Sequence, residues 1–216
     1  MGQSAELKSL EQLRSTIGFL LGLSQFFAKG GEELAQTLDP LSHAISSFAE
    51  THELNHLLVD GQNIARFTKY DFSEFESMKY EFNRLFVGPA SPKAPPYESV
   101  YLSPDRLVMQ EQTLAVRKMY NREQLASSGQ GHEPDDFIGT ELEFMAYLLS
   151  RAMRAMQHDK LAQSSYYLDL YEEFCNKHTR LWWKLFAQAI NQAATHPVFL
   201  AVSRALLSVN QLNFKL

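Results

Sequence analysis

Five of the chain's eight prolines fall between Gly88 and Pro104, while almost everywhere else apolar residues recur at helical spacing. Proline lacks a backbone donor and its ring clashes with the preceding turn, so no continuous helix crosses 88–104. The chain must therefore form helices on either side of an irregular, stiffened segment. Before it, Leu10, Leu13, Ile17, Leu20 and Phe27 share one helical face. Leu41, Ile45, Phe48, His52 and Leu57 mark a second helix, entered just after Asp39-Pro40. Phe72, Phe75, Met78, Phe82 and Leu85 mark a third over 71–86, with Asp71 as its N-cap.

Beyond the prolines, helical spacing resumes near Val108 and runs through Leu114 and Val116 to Tyr120. After a polar gap at Ser127–His132, Ile138, Leu142, Met145, Leu149, Ala152 and Met156 form the cleanest stripe. Tyr167, Leu170, Phe174, Leu181, Trp182 and Leu185 follow in one or two helices. Val198, Val202, Leu206, Val209 and Leu212 form the last, with Pro197 in its first turn. No window alternates with the period of a strand. The expected fold is all-α, a bundle of roughly eight to ten helices. Residues 1–126 form an N-terminal half that includes the proline loop, 127–133 a hinge and 134–216 a C-terminal half, together one compact domain.

Charge and cysteine content exclude several functions. With 20 Lys+Arg against 25 Asp+Glu the net charge is −5, which opposes general affinity for nucleic acid or anionic membrane. The single cysteine, Cys175, permits neither an intramolecular disulfide nor a Cys-rich metal site, and reads as a small buried hydrophobe. The longest apolar run, Ile17–Leu23, is far short of the roughly 20 residues that span a bilayer. Glu6 and Glu11 interrupt the positive region a signal peptide needs, and Glu6 occupies the Ser/Thr position of a myristoylation start. A cytoplasmic protein without an export leader of its own is expected. There is no G-x-x-x-x-G-K-[ST] loop, so no conventional nucleotide site is expected.

His52-Glu53-Leu54-Asn55-His56 fits the H-E-x-x-H pattern, in which two imidazoles one helical turn apart bind zinc and the Glu polarises a water. Glu76, 20 positions beyond His56, stands where a third ligand would. This yields a zinc-hydrolase hypothesis. The plainer reading is a half-exposed helix end whose histidines interact with the C-terminal dipole, because substrate-holding strands are missing from the pattern.

Two segments carry more information. Tyr80–Pro89 is an aromatic helix end that runs into Ala94-Pro95-Pro96-Tyr97-Glu98-Ser99-Val100-Tyr101. The prolines hold this loop extended, and tyrosines suit peptide recognition; the alternative is a lid packed over the core. Glu133-Pro134-Asp135-Asp136-Phe137 opens the stripe at 138–156, with five carboxylates within eleven residues. Capping accounts for part of that cluster. Beside an apolar groove it would also attract a ligand that joins an apolar stretch to positive charge.

The Tyr-x-x-x-x-Leu-Phe-x-Gly-Pro run, the Pro-Pro-aromatic-x-Ser-x-aromatic loop and the Glu-Pro-x-Asp helix start occur here in the order found in the TorD/DmsD family, which this chain resembles over about residues 80–145. The resemblance implies a cytoplasmic chaperone without catalysis or cofactor. Such a chaperone binds the twin-arginine leader, and often the body, of an apo-molybdoenzyme until its cofactor is inserted. Carried over by position, the implied leader-binding surface is Phe82, Leu85 and Phe86 from the helix end, Pro96, Tyr97 and Ser99 from the loop, and Pro134, Asp136 and Phe137 from the helix start. Phe137 stands where the family commonly has His, and Tyr97 where it often has Trp. Asp136, with Glu133 or Glu141, is expected to pair with the arginines. A monomer or a domain-swapped dimer fits the hinge, and a helical interaction module with another partner is the remaining alternative.

Overall fold

A computed structural model gives the fold. It describes residues 2–69, 72–127, 133–210, 212 and 214, without the side chains of 2–6 and 32. The expected cap at Asp71, and most of the expected hinge at 127–133, lie outside the described residues. Helix α1 spans Gly2–Ala28, α2 Leu34–Thr51, α3 Asn55–Arg66 and α4 Phe72–Phe82, and a π-helical turn at Asn83–Val87 follows. Then come α5 (Glu98–Leu102), α6 (Glu111–Arg122), α7 (Ile138–Met156) and α8 (Leu161–Phe174). A second π-helical turn, Cys175–Thr179, joins α8 to α9 (Arg180–Ala193), and α10 is Pro197–Val209. No strand occurs among the described residues; Tyr97 and Phe137 form an isolated antiparallel bridge.

The stripe read on α7 is the spine of the core. Ile138, Leu142, Met145, Leu149 and Ala152 are fully buried, and α1 and α8 pack along this helix. Helix α1 also packs on α2, and α10 lies against α9 and α3. Arg204 of α10 forks onto the buried Asp60 of α3, at 2.9 Å from Nε to Oδ2 and 2.5 Å from Nη2 to Oδ1. Pro197 opens α10 at its first turn, where a missing N–H costs nothing.

Two local expectations are corrected. Helix α2 does not start after Pro40 but at Leu34, and carries Pro40 in its interior. The stripe of Leu41, Ile45 and Phe48 extends back through Leu34 and Leu38, all fully buried, and this burial outweighs the roughly 3 kcal/mol that an interior proline costs. The second correction concerns H-E-x-x-H. Helix α2 ends at Thr51, Glu53 takes a left-handed conformation with φ 58°, and α3 begins at Asn55. The motif therefore straddles a corner, and its imidazoles do not share a helical face. His52 Nε2 lies 3.0 Å from Thr16 Oγ1 with its ring on Phe48, whereas His56 Nε2 lies 3.4 Å from Ser208 Oγ. Among the described residues no three such side chains gather in a way that holds a metal ion. Nor is any described helix long and apolar enough to cross a membrane.

Candidate functional site

The end of α1, the π-helical turn after α4, the proline segment and the start of α7 converge on a groove of about 450 Å³. Its floor is aromatic. Phe82 and Phe86 sit 5.0 Å apart edge to face, and Phe27 meets Phe86 at 5.3 Å. The wide turn at Asn83–Val87, closed by Gly88 N–H donating to Asn83 O at 2.8 Å, is where these rings leave regular helical register. Such turns insert one residue into a helix and re-aim its side chains. Gly30 lets the floor close: a Cβ there would lie 1.8 Å from the Phe82 ring.

The proline segment forms one wall and is tied down at both ends. Lys93 N–H donates to Arg84 O (3.2 Å) and Ala94 N–H to Leu85 O (2.8 Å), while Ile138 N–H donates to Pro96 O (2.9 Å). Tyr97 and Phe137 stand beside each other, ring centres 5.8 Å apart, and the Phe137 ring lies over Gly139, where a Cβ would come within 2.4 Å of it. Tyr97 Oη donates to Glu133 Oε1 at 2.7 Å. Burial, then that bond and the charges of Glu133 and Asp136, push the tyrosine pKa well up, so it stays a donor.

Of the expected surface, Phe82, Phe86, Pro96, Tyr97 and Phe137 line this groove. Leu85, Ser99, Pro134 and Asp136 do not; they are buried behind it. The acidic residues divide the same way. Asp136 is fully enclosed, its Oδ2 accepting from Ser99 N–H at 2.8 Å and its Oδ1 from Thr113 Oγ1 at 2.7 Å, while its carbonyl takes Glu98 N–H. It is thus the N-terminal cap of α5, supplied from a distant segment, because α5's own N-cap, Tyr97, has no capping side-chain bond. Asp135 is buried as well, held by Arg117 Nε at 2.5 Å and Ser127 Oγ at 2.8 Å. The carboxylates that do line the groove are Glu133 and Glu143, and Ser24 Oγ donates to Glu143 Oε1 at 3.2 Å. Neither is ion-paired to a cation among the described residues. The expectation that Asp136 and Glu141 face a ligand is corrected, because both are fully enclosed, whereas Glu133, the third carboxylate named with them, lines the groove together with Glu143.

Sequence reasoning missed the polar cluster that holds the walls from behind. Glu98 of α5 meets His178 Nδ1 at 2.8 and 3.1 Å, both residues buried. Glu141 of α7, fully enclosed, takes the indole N–H of Trp182 (3.1 Å) and of Trp183 (3.2 Å) on one oxygen. Burial above all pushes both glutamates' pKa values up, and for Glu141 the nearby Glu98 and Asp136 charges push the same way. The cluster ties α5, α7 and α9 together. A sequence signal existed: two adjacent tryptophans need partners for two indole N–H groups, and Glu141 sits on the buried stripe.

A family model described as nitrate reductase delta subunit matches residues 32–188. The probable Tat proofreading chaperone DmsD of Haemophilus influenzae is 36% identical over 73 residues, 34% of this chain and 36% of that protein. The DmsD of Salmonella paratyphi A is 26% identical over 129 residues, 60% of this chain and 56% of its own. Both of these matches span well under two thirds of the relative's length. The chaperone protein TorD of Vibrio cholerae is 26% identical over 212 residues, 95% of this chain and 92% of that protein. With the family match extending over most of the chain and taking in both the proline segment and the start of α7, this protein belongs to the TorD/DmsD family.

Proposed function

We propose that this protein is a cytoplasmic, non-catalytic maturation chaperone that binds the twin-arginine leader and body of an exported apo-molybdoenzyme, releasing it once cofactor has been inserted. The observation that carries this reading is the groove: an aromatic floor at Phe27, Phe82 and Phe86, a proline-stiffened wall, and two carboxylates, Glu133 and Glu143, that pair with no cation among the described residues. A leader has the complementary order, an arginine pair followed by an apolar stretch. The apolar side chains go to the floor, as a partner helix seats its apolar face in a groove. The arginines go to Glu133 and Glu143, where each charge-assisted bond contributes roughly 1.5–3 kcal/mol when partly desolvated.

Ordering a flexible leader offsets much of this gain, so roughly micromolar affinity is expected. That suits a chaperone that must let go. Titration with a synthetic twin-arginine leader tests the reading. Glu143→Gln is expected to weaken binding about tenfold, corresponding to about 1.4 kcal/mol, at unchanged stability. A leader with both arginines replaced by glutamine is expected to lose at least as much. Equal affinity of all three combinations would overturn it.

A further inference from the structure

Where α7 turns into α8, the side chains of Arg151, Arg154, His158, Lys160 and Gln163 line a separate pocket of about 250 Å³. We propose that this pocket binds the phosphoryl group of a small ligand, as free phosphate or as an ester. Its nearest lining residue on α7, Arg151, lies eight positions from Glu143, about 12 Å at the rise of a helix, and the pocket shares no lining residue with the leader groove.

Charge balance is the first reason. The chain is acidic overall, and many of its cations elsewhere are matched: Arg117 to Asp135, Arg122 and Lys177 to Glu173, Arg180 to Glu172, Arg204 to Asp60. Among the described residues no carboxylate lies within ion-pair distance of Arg151, Arg154, His158 or Lys160. Asp159 belongs to the same turn but does not line the pocket.

Helix dipoles do not explain the cluster. Positive charge in the last turn of α7 is favourable, which accounts for Arg154. Lys160, however, is the N-cap residue of α8, the end where a cation is disfavoured, and no side chain caps that turn. The N–H groups of Gln163 and Ser164 close this turn on Lys160 O, each at 3.0 Å, so an anion there would meet the positive end of the α8 dipole and the lysine together.

The cluster is also held in place. Arg151 Nε and Nη2 both donate to the Tyr167 hydroxyl, at 3.0 and 2.9 Å, with the guanidinium carbon 5.1 Å from the centre of that ring. The turn carrying His158 and Lys160 is pinned by Lys160 N–H donating to Ala155 O at 2.9 Å and Asp159 N–H to Met156 O at 3.0 Å. Two guanidinium groups and an ammonium on the lining of one small concavity match the several oxygens of a phosphoryl dianion. The volume is below the roughly 300 Å³ of sites that enclose drug-sized ligands, which favours a small anion.

The test is calorimetric titration of the full chain, in chloride buffer, with pyrophosphate, inorganic phosphate and phenyl phosphate. Saturable binding of at least one is expected, and the pattern among the three separates a free from an esterified source. The exposed pair Arg154→Gln/Lys160→Gln is expected to weaken it about tenfold or more with an unchanged melting temperature, while Glu143→Gln leaves it intact. Three results overturn the proposal: no saturation by concentrations on the order of 10 mM, equal binding by the double variant, or a glutamate-rich peptide binding as tightly as pyrophosphate. None of these depends on whether the groove takes a leader.

Discussion

Tyr97 reaches across the groove mouth to Glu133, hydroxyl to carboxylate at 2.7 Å, and so links the proline wall to the segment that opens α7. The bond fixes one of the two carboxylates proposed to meet the leader arginines. Tyr97→Phe keeps the ring against Phe137 but frees Glu133, at a cost of about 1 kcal/mol in stability. The expected result is a weaker dependence of leader affinity on Glu133: Glu133→Gln costs less in the Tyr97→Phe background than in the parent. A double-mutant cycle on peptide affinity measures this coupling, and strict additivity would mean that the tyrosine does not position the carboxylate.

Asp136 acts on the fold. Its two oxygens satisfy Ser99 N–H and Thr113 Oγ1 in full enclosure, and an alanine leaves both donors orphaned. Asp136→Ala is expected to destabilise by about 3 kcal/mol, read from urea unfolding. Where the variant remains folded, leader affinity should fall far less than in Glu143→Gln. The reverse order would return Asp136 to the binding surface.

Gly30→Ala probes the floor. The added methyl would sit inside the Phe82 ring, which itself is packed against Phe26 at 5.7 Å and Phe86 at 5.0 Å. The ring must move into the groove or the core must open, so a loss of about 1–3 kcal/mol is expected, as for other overpacked sites. Leader affinity should fall with it. A stable variant with undiminished affinity would show that the floor rings are not used.

These cases mark where the sequence is legible. The α7 stripe reads correctly to its ends because one apolar face is buried along its whole length, so periodicity carries the information. Helix α5 was invisible: five residues inside a proline segment have no period to read, and their cap comes from Asp136, 37 positions beyond Ser99 in the chain. The helical run through Pro40 contradicts the local rule because tertiary burial decides it. The groove's composition was legible in Phe82, Pro96 and Tyr97. Which carboxylates face it was not, since five acids within one turn-and-helix start differ only in direction, and direction depends on Thr113, Arg117 and the tryptophans elsewhere in the chain.

The buried glutamates give the fold a pH dependence. Glu98 and Glu141 are both pushed above the ordinary value of 4.5, chiefly by burial, so the native state favours their protonated forms more than the unfolded chain does. Their contribution to stability is therefore fully present below pH about 4.5 and is lost as pH rises through the native values. Glu141→Gln mimics the protonated acid, and its amide oxygen can still accept from Trp182 and Trp183. Its stability relative to the parent is thus expected to increase as pH rises above about 4.5 and to level off once the native value is passed, whereas Glu141→Ala, which orphans two indole N–H groups, is destabilised at every pH. Urea unfolding across that range measures both curves. A Gln variant that parallels the parent would mean that Glu141 has no raised native pKa, and that the cluster of α5, α7 and α9 carries its charge without cost.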